Sequence, residues 1–329
     1  MFNRNHRMKV LFATLIIVTA MAGCAKEPYR DSPVEESVAT KDAPHTLDVF
    51  HIAFAPGSDE TERTFSWHTR GMNKKAVVEL SQLDEEGNVL SSETFESNVE
   101  AILRGFSRHK ATITGLEEKQ LYSYRFGDGH RAWSESYTFR TQATEDGDFN
   151  FLFFGDPQIG AGDGARIDAD GWDRTVTTAM EMFPDTAFLV SAGDQVNTAY
   201  NLKQYDGWFF PEELTTYPIM SIVGNHDAAS FADYFNVPNE TGLGGDSEGS
   251  DFYFSYGNTL FMALNSQSSD VEEHRKAMER AIAANPDATH RIVLLHKSLY
   301  SSADHALEED VLAFRDGLVP VFDELDIDV

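Results

Sequence analysis

Four short polar clusters, each following an apolar run, hold most of the residues in this chain that could do chemistry. Asp156 and Gln158 follow the run 149–154, and Asp194 and Asn197 follow 187–192. Asn225, His226 and Asp227 follow 219–223, and His296 ends 291–295. Asp, Asn and His offer oxygen and nitrogen donors suited to Fe, Zn or Mn. Gly155, Gly193 and Gly224 each precede a candidate ligand, where a glycine lets the backbone turn sharply and a side chain face inward. Two cations about 3.5–4 Å apart can share one carboxylate and one hydroxide, which then attacks phosphorus in line with the leaving oxygen.

Such a centre needs elements that end at one place. From residue 148 apolar strand-like runs alternate with helical periodicity. Trp172, Val176, Ala179, Met180 and Phe183 recur at helical spacing, residues 252–256 and 260–264 pair across Gly257-Asn258, 271–284 reads as a helix, and 307–325 is mostly helix. The run 149–154 is apolar but for Asn150, which predicts burial on both faces. The alternation implies a layered α/β domain with mixed sheets over 148–329. Ligand sites in such sheets form beyond the carboxyl ends of strands, so the four clusters are expected to converge.

Residues 46–142 read differently. Short alternating runs at 47–54, 64–68, 76–80, 111–113, 121–126 and 135–139, punctuated by Gly and Asn, predict a β-sandwich with no catalytic constellation. His51, His68, His109 and His130 are scattered and read as packing or solvent-facing residues. Leu116 and Tyr122, six residues apart, resemble the tyrosine corner of a fibronectin type III domain, with Glu118 where Pro is usual. The segment 133–141, Trp-Ser-Glu-Ser-Tyr-Thr-Phe-Arg-Thr, resembles the last strand before the catalytic domain of purple acid phosphatases.

The order Gly-Asp, Gly-Asp, Gly-Asn-His-Asp, then a strand-final His resembles the calcineurin-like metallophosphoesterase superfamily. With the sandwich in front it resembles the purple acid phosphatase branch, over residues 47–329. The resemblance implies two metal ions (Fe, Zn or Mn). Asp156 would hold the first, Asp194 would bridge both, and Asn225 and His296 would hold the second. His226 would sit over the substrate phosphate as transition-state donor or proton donor, with Asp227 orienting it.

Three departures stand out. The purple enzymes carry a Tyr three residues after the bridging Asp, where this chain has Asn197, so the purple colour should be absent. Many relatives have His where Gln158 stands. Gln158 and Asn197 either reach a metal or hydrogen-bond to residues that do. The family also closes its site with Gly-His-x-His, one ligand per metal. Residues 322–329 hold no such motif, and the resemblance places it beyond Val329 in a longer protein, with weak or no activity in the 329 residues alone.

The implied activity is phosphomonoester hydrolysis by an acid phosphatase-like enzyme. Phosphodiester hydrolysis uses the same site. A surface binding module with a degenerate catalytic domain would account for Gln158, Asn197 and the missing histidines, but not for ligands kept at every other strand end. Asp163, Asp168, Asp170 and Asp173 read as a solvated acidic loop, Lys297 as structural or phosphate-facing, and Arg166 as a weaker phosphate contact.

The chain carries 54 acids against 26 bases, a formal charge of −28, which argues against nucleic acid as a partner. An acidic protein that takes an anionic ester needs a local cation. Arg4, His6, Arg7 and Lys9 precede the apolar run 10–20, and Met21-Ala-Gly-Cys24 follows. A basic start, a short apolar core and small residues form a secretory signal over 1–23. The run is shorter than the roughly 20 residues of a membrane span. Cys24, the chain's single cysteine, sits as in a bacterial lipobox, which implies lipidation, export and anchoring in the cell envelope. Residues 24–45, with Pro28, Pro33 and Pro44, read as a flexible tether.

Overall fold

The computed structural model of the chain describes residues 46–71, 75–101, 105–143, 148–245, 249–302 and 304–329. The signal, Cys24 and the tether expected from the sequence lie outside them. Among the described residues no helix is long and apolar enough to cross a membrane.

Eight strands build the first domain: β1 (Val49–Pro56), β2 (Arg63–Arg70), β3 (Val77–Leu83), β4 (Val89–Glu96), β5 (Asn98–Ala101), β6 (Phe106–Ile113), β7 (Leu121–Gly127) and β8 (Tyr137–Arg140). They pair antiparallel as two sheets, β1-β2-β6-β5 and β4-β3-β7-β8. Alternate residues point inward, so Phe54, Phe65, Trp67, Val78, Tyr124, Phe126 and Phe139 close one aromatic core. Burying a side chain of that size stabilises by about 1.5–3 kcal/mol. The corner forms as expected: Leu116 is buried and Glu117 N donates to the Tyr122 hydroxyl at 2.9 Å.

Strands β4 and β5 have no counterpart in the sequence reading. β4 is exposed along almost its whole length and carries Ser91, Ser92, Glu93 and Thr94. A sheet edge needs no apolar alternation, and polar residues there discourage pairing with other chains.

The second domain holds β9 (Phe151–Phe154), α1 (Ala165–Met182), β10 (Phe188–Ser191), α2 (Leu202–Trp208), β11 (Ile219–Ser221), α3 (Ala228–Tyr234), β12 (Phe252–Tyr256), β13 (Thr259–Leu264), α4 (Val271–Ala284), β14 (His290–Leu295) and α5 (Glu309–Glu324). One sheet is parallel, β11-β10-β9, and the other is mixed, β12-β13-β14. Phe188, Val190, Met220, Phe254 and Phe261 fill the layer between them. Trp172, Val176 and Met180 of α1 pack on the parallel sheet's other face with Leu189 and Trp208.

Two expectations are corrected. The run 149–154 is not buried on both faces, because β9 is the edge of its sheet and Phe153 is 53% exposed. Asp168, Asp170 and Asp173 lie within α1 rather than in a loop, and Asp168 accepts from Gly160 N and Gly162 N, closing the turn before the helix.

The domains share packing. Ala53 and Ala55 of β1 each join a core of the second domain. Tyr124 donates to Thr215 O, and Asn236 donates to Phe65 O and Ala111 O.

Candidate metal centre

The parallel strands β9 and β10, with β11 and β14, deliver their carboxyl ends to one cavity of about 600 Å³. Asp156, Asp194, Asn225, His226 and His296 line it together. Ligand atoms of Asp156, Asp194 and His296 all lie within 4.8 Å of one another.

The local chain explains the convergence. Gly193 and Asp194 take φ of 95° and 49°, so two successive positive φ values turn the Asp194 carboxylate back over the strand end. Gly224 passes so close that a Cβ there would lie 2.1 Å from Asp194 N. Gly155 has neither constraint: its φ is not positive and a Cβ would meet nothing within 4 Å. The three glycines therefore serve different ends, which their shared place before a ligand hid.

Hydrogen bonds fix which atoms face the cavity. His296 Nδ1 lies 2.8 Å from Ala192 O, and a carbonyl only accepts, so Nδ1 carries the hydrogen. His296 Nε2 then offers its lone pair, with Asn225 Oδ1 at 3.0 Å and Asp194 Oδ1 at 3.5 Å. Asp156 Oδ1 stands 3.4 Å from His296 Nδ1. Carboxylate, amide and imidazole lone pairs thus point at common ground, an arrangement that a cation resolves and that is repulsive without one. The donor set fits divalent or trivalent Fe, Zn or Mn.

His226 is held from both ends. Its N–H donates to Asp194 Oδ1 at 2.9 Å, and its Nδ1 donates to Asn197 O at 2.8 Å. Nε2 is left towards the cavity, 4.0 Å from Asp194 Oδ2. Asp227 does not line the cavity. It is fully buried beneath it and accepts from Gln195 N at 2.7 Å and Gly224 N at 2.9 Å, tying the second motif to the third. Burial pushes its carboxyl up to about 7 against those two N–H donors.

Gln158 and Asn197 stay together, with Gln158 Nε2 donating to Asn197 Oδ1 at 3.4 Å. Gln158 lines a neighbouring hollow beside Asp156 rather than the main cavity. The Tyr200 hydroxyl donates to Ala229 O and does not reach the site. Lys297 lines the cavity, and its N–H donates to Ser266 Oγ at 3.0 Å. Arg166 is exposed, pairs with Asp170 at 3.3 Å and lies outside the cavity.

Sequence reasoning missed the opposite wall. Gln267, Ser298, Ser301, Glu308 and Val311 also line the cavity. Gln267 follows the end of β13, so the strand-end rule that found the four motifs could have found it. Ser298 and Ser301 follow the end of β14 in the same way, whereas Glu308 and Val311 approach through the start of α5, and no motif marks them.

The family model "Purple acid Phosphatase, N-terminal domain" matches residues 49–141, and the model "Calcineurin-like phosphoesterase" matches 149–329, more than half of the chain. No curated protein matches. Among solved structures, a purple acid phosphatase from yellow lupin (Lupinus luteus) seeds is 17% identical with a TM-score of 0.68. It covers 86% of this chain, and this chain covers 57% of it. That likeness shows the fold. A Bifidobacterium dentium β-glucuronidase has a TM-score of 0.25 at 11% identity, covering 85% of this chain and 59% of its own. The sensor domain of the anti-sigma factor RsgI4 in Pseudobacteroides cellulosolvens has a TM-score of 0.20 at 18% identity, covering 30% of this chain and 78% of its own. Scores of that size say nothing about this fold.

Proposed function

The chain belongs to the calcineurin-like phosphoesterases, and from that membership we propose that it hydrolyses phosphate monoesters at a two-metal centre that Asp156, Asp194, Asn225 and His296 help to hold. One observation carries the reading: side chains from four separate strand ends meet at one cavity, where lone pairs of Asp194, Asn225 and His296 face each other with Asp156 beside them. Metal ions bound there would supply Lewis-acid stabilisation of the phosphoryl oxygens and an activated water.

The chain's own residues do the rest. The Asp156 and Asp194 carboxylates by themselves repel an anionic ester, so substrate entry would depend on bound cations. His226 turns Nε2 towards the leaving oxygen, to which a doubly protonated ring would donate, and the Nδ1–H bond to Asn197 O locks that orientation. Asp227 positions the His226 turn through Gly224 N and Gln195 N. Gln158 and Asn197 brace each other behind Asp156 and His226.

The reading extends to location. The basic start, the short apolar core and Cys24 support an exported protein anchored by lipid in the bacterial envelope. The metal-loaded protein is expected to turn over p-nitrophenyl phosphate faster than bis-p-nitrophenyl phosphate, with Asp194→Ala abolishing both. Turnover of the diester alone would make the enzyme a phosphodiesterase. Metal binding without turnover of either would leave a binding module.

A further inference from the structure

Two of the scattered histidines of the sandwich, His51 and His68, meet the catalytic domain. His51 sits in a bulge of β1, where the register with β2 shifts between Phe50 and Ala53, and its φ is 49°. A non-glycine residue held at positive φ signals that its surroundings over-determine it. Its ring stacks on Phe209 with centroids 5.2 Å apart. His51 Nε2 lies 2.7 Å from Asp206 Oδ1 of α2, and His51 Nδ1 lies 3.1 Å from His68 Nδ1 of β2. His68 Nε2 lies 2.9 Å from Asp233 O of α3.

Hydrogen bookkeeping fixes the charge. Asp233 O only accepts, so His68 Nε2 carries a hydrogen. Burial first, then the neighbouring His51, pushes the His68 imidazole down to about 3, so it is neutral and its Nδ1 is a lone pair. His51 Nδ1 must then donate. A neutral His51 would turn a second lone pair on Nε2 towards the Asp206 carboxylate at 2.7 Å, which is repulsive. The chain Asp206–His51–His68–Asp233 O closes only with one proton more than a carboxylate and two neutral imidazoles hold.

We propose that His51, His68 and Asp206 form an interdomain latch that is closed by this single shared proton and opens when the proton leaves. The latch grips both helices behind the site: α3 begins directly after Asp227, and α2 begins five residues after Asn197. The groups that face it are Tyr205 of α2, Tyr234 and Asp233 of α3, Arg108 and His109 of β6, and Glu135, Tyr137 and Glu212 on the adjoining cavity. Arg108 is already committed to Asp233 Oδ1 and Ala232 O at 2.7 Å each, so it does not replace the lost proton. The latch stands on interface geometry and is independent of the reaction proposed above.

Hydrogen exchange by mass spectrometry tests it on the whole chain, at about pH 5.5 and about pH 8, after correction for intrinsic rates. With peptides over β9 and β10 as the reference, peptides over 202–208 and 228–234 are expected to exchange about tenfold or more faster at the higher pH than at the lower, as losing one charge-assisted hydrogen bond entails. Asp206→Asn is the discriminating variant. Its amide N–H can donate to His51 Nε2, which satisfies the same bonds with no extra proton, so protection persists and its pH dependence vanishes. His51→Phe keeps the stack on Phe209 and loosens both helices at both pH values. Protection of these helices that is unchanged between the two pH values in the wild type, or an Asp206→Asn variant as pH-dependent as the wild type, would overturn the latch. Those two measurements decide even if His51→Phe does not fold.

Discussion

Gly224→Ala separates a cradle from a mere turn. A Cβ at residue 224 would lie 2.1 Å from Asp194 N, 2.2 Å from Asp194 Oδ1 and 2.9 Å from Asp194 Cα. Two of these are main-chain atoms that no rotamer change moves, and the closest is more than an ångström inside ordinary contact. The Asp194 loop must retreat, and with it the carboxylate that accepts from His226 N and faces His296 Nε2. Overpacking of this kind costs about 1–3 kcal/mol. A displacement of about 1 Å at reacting groups costs about 10²-fold in rate. Gly155→Ala is the control, since a Cβ there meets nothing within 4 Å. The assay is thermal melting and bound metal by elemental analysis, followed by hydrolysis of an aryl phosphate. Gly224→Ala should melt lower and lose metal while Gly155→Ala resembles the wild type. A Gly224→Ala protein with wild-type metal content, or a Gly155→Ala protein damaged as badly, would refute the reasoning.

Other outcomes follow from the same geometry. Tyr122→Phe leaves Glu117 N without its 2.9 Å acceptor and should lower stability by about 1–3 kcal/mol in chemical denaturation, with site residues unaffected. His274 is buried against Asp251 at 2.7 Å and also donates to Ser268 O. Burial alone would lower its pKa, but the Asp251 hydrogen bond and charge outweigh it and raise it. That proton stabilises the fold below the ordinary imidazole value of 6.5, and the increment is lost as pH rises through the higher folded value. The Tm gap between wild type and His274→Gln should therefore narrow on the alkaline side, and a gap that widens there would reverse the sign. With Asn197 in the tyrosine's place and the Tyr200 hydroxyl on Ala229 O, the ferric-loaded protein should show no strong visible charge-transfer band in absorption spectra.

The fold was legible where period and punctuation agree. The helix expected over 271–284 forms over those residues, and Asp270 caps it by accepting from Glu272 N and Glu273 N. The polar edge strands β4 and β5 and the seven-residue helices α2 and α3 were not legible. A solvated edge shows no alternation, and a short helix shows too little of a 3.6-residue period. The four motifs were legible because strand ends gather polar residues whatever the sheet order. The side of the cavity formed by Glu308 and Val311 was not, because residues at the start of α5 arrive by tertiary packing. His51 and His68 read as scattered for the same reason: their partners Asp206 and Asp233 stand more than 150 residues away.

Anomalous scattering from crystals equilibrated with Mn or Zn tests the central claim most directly. The account predicts a peak in the cavity at Asp156, Asp194, Asn225 and His296, lost in Asp194→Ala. Metal bound elsewhere, or no metal in a well-ordered cavity, would contradict it.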